Sequence, residues 1–264
     1  MRVSQEVSDK ISLHQQALLE CCESINQVKE VMTEKFNISV MTILLTFDTA
    51  LQPDKMRSLL QISEMFSENS KRPFSNQISI RDQSPDGQCC CKFFENGKVH
   101  VTGTKSFARA MVVVEKIFAK VALSTMLVDI KAEMLNTSFK LKKPLFLGKL
   151  CTVSEKNPEL HVSYDSSRYP GVKLRLRGCG VMLVFSSGSV IFSGCKSPED
   201  LSRLFRTLGT VLTNNPEVYN EEPDITHRRP SKKRKAECNY TCGYPQGLVD
   251  GIIGYNPEYP KKPK

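Results

Sequence analysis

The sequence offers little that could carry it into a membrane. Its longest apolar run, Ile38 to Phe47, is too short to span a bilayer, and residues 1–35 are polar and charged throughout, so neither a span nor a secretory leader is expected. A second zinc-type cysteine pair is also missing. Cys238 and Cys242 stand alone, which makes a structural metal the minor reading. The ten cysteines, without a leader, suit a reducing compartment, where thiols serve as small core residues. In the run Cys89-Cys90-Cys91, neighbouring thiols point to opposite faces of a strand. Catalytic constellations are lacking too. His14, His100, His161 and His227 have no serine, cysteine or carboxylate at recognisable catalytic spacing, and there is no glycine-rich phosphate loop. No enzyme and no cofactor are therefore expected. What is present is 264 residues with 40% hydrophobic content, enough for one large core or two small ones.

Charge is unevenly spread. The net charge is +9, and residues 36–213 hold 24 Lys and Arg against 15 Asp and Glu. Residues 1–35 are weakly acidic (4 against 6), residues 214–225 carry four acids and no base, and residues 226–264 hold 9 bases against 3 acids. A basic body with a separate basic tail favours an anionic partner such as nucleic acid.

One hairpin occurs twice. Residues 93–106 (FFENGKVHVTGTKS) and 184–197 (VFSSGSVIFSGCKS) match at six of fourteen positions with an offset of 91. That period suits a duplicated half-domain rather than a solenoid unit. Asn96-Gly97 alone would allow a two-residue turn, but Ser186-Ser187-Gly188 does not, because serine is poor at positive φ. A three-residue loop with a left-handed glycine fits both copies and places Phe94 opposite Lys98 and Phe185 opposite Ser189. Alternation then gives one apolar face (Phe93, Val99, Val101; Val184, Val190, Phe192). The other face is mixed: Phe94, Lys98, His100 and Thr102 in one copy, and Leu183, Phe185, Ser189, Ile191 and Ser193 in the other. The apolar face is core and the mixed face reads as a binding surface. A one-residue slip would exchange them.

The rest of the chain falls into two similar halves. Residues 4–34 show helical periodicity through Val7, Ile11, Leu18, Cys22, Ile25 and Val31/Met32, either a helix docked on the body or a partner-binding arm. Each half then reads strand, short helix, strands, hairpin, helix. The helices begin near Pro53, Ser106, Pro144 and Ser197, where Ser197-Pro198-Glu199-Asp200 is a strong start. The expected layout is an arm at 1–35, halves at 36–125 and 126–213, and an acidic linker with a largely disordered basic tail at 214–264. The expected fold is α+β: one curved antiparallel sheet with helices on one face. In the tail, Arg228, Arg229, Lys232, Lys233, Arg234 and Lys235 form a cluster of nuclear-import type, or a solvated run that only adds non-specific nucleic-acid affinity.

In the second half, SYDSSRYPGVKLRL (163–176) followed by VMLVFSSGSVIFSGCKS resembles the C-terminal repeat of the TATA-box-binding protein family. The first half follows it more loosely through KRPF (71–74) and FFENGKVHVTGTK, so the resemblance covers roughly residues 36–213. It implies a saddle of ten strands and four helices that binds the DNA minor groove, with paired aromatics wedged into base steps. This family is itself a reference case for that mechanism. Carried over by motif, the wedges are Phe74 and Phe94 in the first half and Tyr169 and Phe185 in the second; the concave hydroxyls are Thr102 and Ser193, and Arg175 meets a phosphate. Departures accompany the likeness. Tyr169 stands where a wedge phenylalanine is usual, so its hydroxyl must stay wet or find a partner inside the base stack. Val40 and Met134 occupy the family's central asparagine positions, with Asn37 and Asn136 nearby, and the acidic partner loop has become Asp165-Ser166-Ser167-Arg168. The implied role is a transcription initiation factor that bends A/T-rich promoter DNA, partnered by initiation factors or RNA polymerase, acting in a nucleus. A divergent member of this sort also suits a large DNA virus, with a viral factory as the alternative site. Self-association of the free protein as a dimer stays open, and a saddle used only as a protein-interaction scaffold is the competing reading.

Overall fold

The computed structural model describes residues 1–28, 32–60, 66–68, 76–82 and 89–220. The calls on Phe74, on Cys238 and Cys242, and on the import cluster lie outside them. After a two-residue strand β1 (Arg2–Val3) and helix α1 (Gln5–Asn26), one sequence of elements runs twice. The first pass is β2 (Met32–Phe47), α2 (Pro53–Leu60), β3 (Phe66–Glu68), β4 (Gln77–Asp82), β5 (Cys90–Phe94), β6 (Lys98–Thr104) and α3 (Phe107–Lys120). The second is β7 (Met126–Leu141), α4 (Leu147–Ser154), β8 (Leu160–Ser163), β9 (Gly171–Leu176), β10 (Gly180–Phe185), β11 (Ser189–Cys195) and α5 (Pro198–Asn214). All the strands join one curved sheet in the order β3-β4-β5-β6-β2-β7-β11-β10-β9-β8, with β1 added in parallel along β7. The long strands β2 and β7 pair antiparallel from Met32↔Leu141 to Phe47↔Leu127 and fuse the halves at the centre. The saddle fold expected from the sequence is present.

The core lies between the sheet and the helices, all on the convex face. Phe93, Val99, Val101, Val184, Val190 and Phe192 are each fully buried, so the expected hairpin register holds. Beneath the second half, Phe36 of β2 joins Phe139 and Phe192 in a ring cluster with centroids 5.2–6.0 Å apart, and beneath the first Phe118 packs edge-on against Phe47 at 4.9 Å. Such contacts add roughly 0.5–1.5 kcal/mol each beyond area burial. The caps are as the sequence demands: Ser106 accepts from the Arg109 N–H and Ser197 from the Asp200 N–H.

Two boundaries differ from expectation. The first helix stops at Asn26 instead of running to residue 34, and Met32 already belongs to β2. The Asn26 side chain accepts from the Phe36 N–H at 2.8 Å and donates to the Phe36 carbonyl at 3.1 Å, tying the end of the helix to β2. The helix is docked on the body. Its Cys21 thiol contacts Ser202 and the Pro198 carbonyl of α5, His14 meets Phe107 of α3 edge-on, and Lys10 pairs with Asp129 of β7. At the other end the fold continues past 213. Helix α5 reaches Asn214, a 3-10 turn spans Pro216–Val218, and Val218 is fully buried. The Phe146 N–H donates to the Val218 carbonyl and the Asn220 N–H to the Pro144 carbonyl, so residues 216–220 stitch down the lead into α4.

Candidate nucleic-acid interface

The two hairpin loops present the mixed face. Both are three-residue loops closed by an N–H to carbonyl bond, Gly97 to Phe94 at 3.1 Å and Gly188 to Phe185 at 3.0 Å. The glycines sit at φ +79° and +82°. A Cβ on Gly97 would lie 2.8 Å from the Phe47 carbonyl oxygen, and one on Gly188 would lie 2.9 Å from that of Lys143. Each loop therefore folds tightly over the end of a central strand, and only glycine fits.

Beyond the loops, the helix-free face can be followed across the sheet by register. In the first half Lys92 pairs with His100, His100 with Leu44, and Leu44 with Lys131, while Cys90, Thr102, Thr42 and Met134 form the adjacent row. In the second half Lys173 pairs with Leu183, Leu183 with Ile191, and Ile191 with Ser138, beside a row of His161, Arg175, Val181 and Ser193. The expected residues Phe94, Lys98, His100, Thr102, Arg175, Leu183, Phe185, Ser189, Ile191 and Ser193 thus share one face. Alternation along β2 and β5 adds Thr42, Leu44, Thr46 and Lys92, which the sequence reading passed over. Lys131 and Glu133 were harder to see. They sit where the β2–β7 register shifts, and a bulge cannot be read from alternation.

The surface is apolar at intervals. Val40, Leu44 and Leu183 are 7% exposed and Tyr169 is 9% exposed, yet none packs into the core beneath the helices. They are shielded by their neighbours on the face itself. At the centre Val40 pairs with Asn136 and Thr42 with Met134. Asn136 Oδ1 accepts from the Gly194 N–H at 3.3 Å, and Asn37 donates to the Lys35 carbonyl at 2.9 Å. Both amides near the centre thus make bonds within the protein.

The aromatic positions differ between halves. Phe94 lies edge-on to His100 with centroids 5.4 Å apart. Phe185 and Tyr169 are 5.8 Å apart, with the Lys173 ammonium 4.7 Å over the tyrosine ring. Gly171 makes room for both, since a Cβ there would come within 3.1 Å of each ring. The Asp165 carbonyl accepts the Tyr169 N–H at 2.9 Å, and its carboxylate accepts both the N–H and the hydroxyl of Ser167. The loop that departs from the family pattern is thus a closed turn that carries Tyr169.

Among the described residues the Tyr169 hydroxyl is buried and has no hydrogen-bond partner. Burial pushes the phenol up to about 12. Tyr169→Phe keeps the ring and removes the orphan hydroxyl, so it should raise the unfolding free energy by about 1 kcal/mol. The unfolded phenol ionises near 10.0 and the folded one near 12, so wild type loses stability as pH rises across that window. The advantage of the phenylalanine variant should widen there. Denaturant midpoints at pH 8 and 10.5 measure both effects, and a less stable variant at pH 8 would show that the hydroxyl is satisfied after all.

Charge on this face is mostly positive. Lys92, Lys98, Lys173 and Arg175 are exposed. Glu133 is the counterweight, bound to Lys131 at 2.7 Å, and that bond lowers its pKa. Partial burial, opposed by Glu133 and reinforced by Lys92, Lys98 and Lys131, lowers the His100 pKa from the ordinary imidazole value, which favours the neutral ring.

Known proteins resemble this chain in the same terms. The family model for Transcription factor TFIID (or TATA-binding protein, TBP) matches residues 129–215, the second half. A TATA-box-binding protein of Tetrahymena thermophila is 24% identical over 210 residues, covering 72% of this chain and 83% of that protein. One from Archaeoglobus fulgidus is 30% identical over 158 residues, covering 55% of this chain and 82% of that protein. Among solved structures, Methanococcus jannaschii TBP superposes with a TM-score of 0.54 at 20% identity, covering 68% of this chain and 98% of that one, which supports the fold. With 82% of a relative's length matched at 30% identity, the chain belongs to the TATA-box-binding protein family.

Proposed function

We propose that the chain is a non-enzymatic transcription initiation factor that binds A/T-rich promoter DNA through the minor groove and bends it with aromatic wedges. One observation carries this reading. Phe94 and Phe185 project from the helix-free face at equivalent points of two hairpins, while Phe93 and Val184 beside them are fully buried. An aromatic side chain kept out of the core at both equivalent points is suited to unstacking a base step. Lys98, Lys173 and Arg175 flank the wedges and supply phosphate contacts, which position the duplex without reading its sequence. The partners that follow are initiation factors and RNA polymerase.

Titration of a labelled TATA duplex and a scrambled duplex at two salt concentrations tests the reading. The TATA duplex should bind at least about tenfold tighter, and both affinities should fall as salt rises. Equal binding removes the sequence-specific role, and no binding leaves the face a protein-interaction scaffold. Nuclear action rests on the cluster Arg228–Lys235. Replacing Lys232, Lys233, Arg234 and Lys235 with alanine in a fusion too large for passive entry should move it to the cytoplasm, and an unchanged distribution refutes that assignment.

A further inference from the structure

The two halves of the face share a backbone but not a chemistry. At equivalent points of the repeat, Lys92 corresponds to Leu183, Lys98 to Ser189 and His100 to Ile191. The first half therefore sets two ammonium groups and an imidazole where the second sets two aliphatic side chains and a hydroxyl. Leu183 and Ile191 pair directly across β10 and β11, and Lys92 and His100 pair across β5 and β6, so each difference is a contiguous patch.

Resting on the reading of this face as a minor-groove interface, we infer that the chain recognises an asymmetric DNA element. The Leu183/Ile191 half demands A·T pairs, and the Lys92/His100 half also accepts G·C. The minor groove distinguishes these pairs by one group. A·T and T·A present only acceptors on the groove floor, whereas G·C adds the guanine amino donor. Against Leu183 and Ile191 that amino group is desolvated with nothing to accept its hydrogen bond, which is costly. A neutral imidazole carries one donor and one acceptor nitrogen. His100 can therefore donate to a floor acceptor over A·T or accept from the amino group over G·C. The lysines beside it donate to floor acceptors in either case.

The test uses a palindromic A·T duplex and two derivatives: one G·C pair in one half, which by symmetry is the same duplex whichever half carries it, or one symmetry-related pair in each half. Because the protein can turn round on a palindrome, the single change should leave wild-type affinity within about twofold, since the tolerant half takes the G·C. The double change should weaken binding by about tenfold or more. Lys92→Leu with His100→Ile makes both halves aliphatic, and this variant should lose about tenfold on the singly changed duplex. Additive losses in wild type would overturn the inference, as would a variant indistinguishable from wild type. In both cases binding to the parent duplex would leave the proposed function standing. Absence of binding to every duplex would remove both. Should the double variant fail to fold, the wild-type series alone decides.

Discussion

Phe192→Ala should lower the unfolding free energy by roughly 3–5 kcal/mol, whereas Phe185→Ala, seven residues earlier on the same hairpin, should cost less than half as much. The two rings lie on opposite faces of one ribbon. Phe192 is fully buried, in edge contact with Phe139 at 5.2 Å and Phe36 at 6.0 Å, so truncation leaves a cavity whose walls are locked in the sheet and α5. Phe185 meets Tyr169 on the helix-free side and is only partly covered. The order should reverse for DNA. Phe94→Ala and Phe185→Ala remove the proposed wedges and should weaken specific binding by about 1–3 kcal/mol, with a nearly unchanged salt slope because no phosphate contact is lost. Thermal melting and fluorescence transfer between the ends of a short duplex report the two effects separately. If Phe185→Ala melts as badly as Phe192→Ala, the assignment of faces collapses. If it melts well and bends DNA like the parent, the saddle stands without the wedge mechanism.

That contrast was legible in the sequence because the hairpin occurs twice. One copy admits two turn types; two copies with Asn96-Gly97 and Ser187-Gly188 in register admit one, and the turn sets the alternation of every residue on either side. The order of elements was legible for a similar reason, since Pro53, Ser106 and Ser197 mark helix starts in chemistry that needs no tertiary partner. What escaped depends on contacts distant in sequence. The end of α1 is tied to β2 by two bonds between Asn26 and Phe36. Residues 216–220 are held by main-chain bonds to the 144–146 segment, which leave no periodic trace in the sequence. Within the site, the family resemblance implied that Tyr169 stands where a phenylalanine is usual. It could not show that the face would cover the hydroxyl and leave it without a partner, because that depends on how Phe185 and Lys173 close over the ring.

Gly188→Ala should destabilise the fold by roughly 2–5 kcal/mol, the sum of a left-handed residue and an overpacked contact, while Gly178→Ala should cost only about 1–2 kcal/mol. The pair separates conformation from space. Both glycines are left-handed, at φ +82° and +69°. Around Gly178 an added Cβ meets nothing within 4 Å, so only the backbone conformation resists it. At Gly188 the same atom would lie 2.9 Å from the Lys143 carbonyl oxygen and 3.1 Å from that of Leu141. Neither carbonyl can retreat cheaply, because the Leu141 N–H donates to the Gly188 carbonyl at 2.8 Å and the Leu145 N–H to that of Ser186 at 2.9 Å. Those bonds hold the loop against the end of β7, and the loop in turn aims Phe185. Gly97→Ala should repeat the larger effect in the first half, where the Cβ would stand 2.8 and 2.9 Å from the carbonyl oxygens of Phe47 and Thr49. Denaturant titration of the three variants decides the matter. Equal losses at Gly178 and Gly188 would mean that the loop does not bear on the central strand, and that the wedge residues are positioned by the hairpin alone.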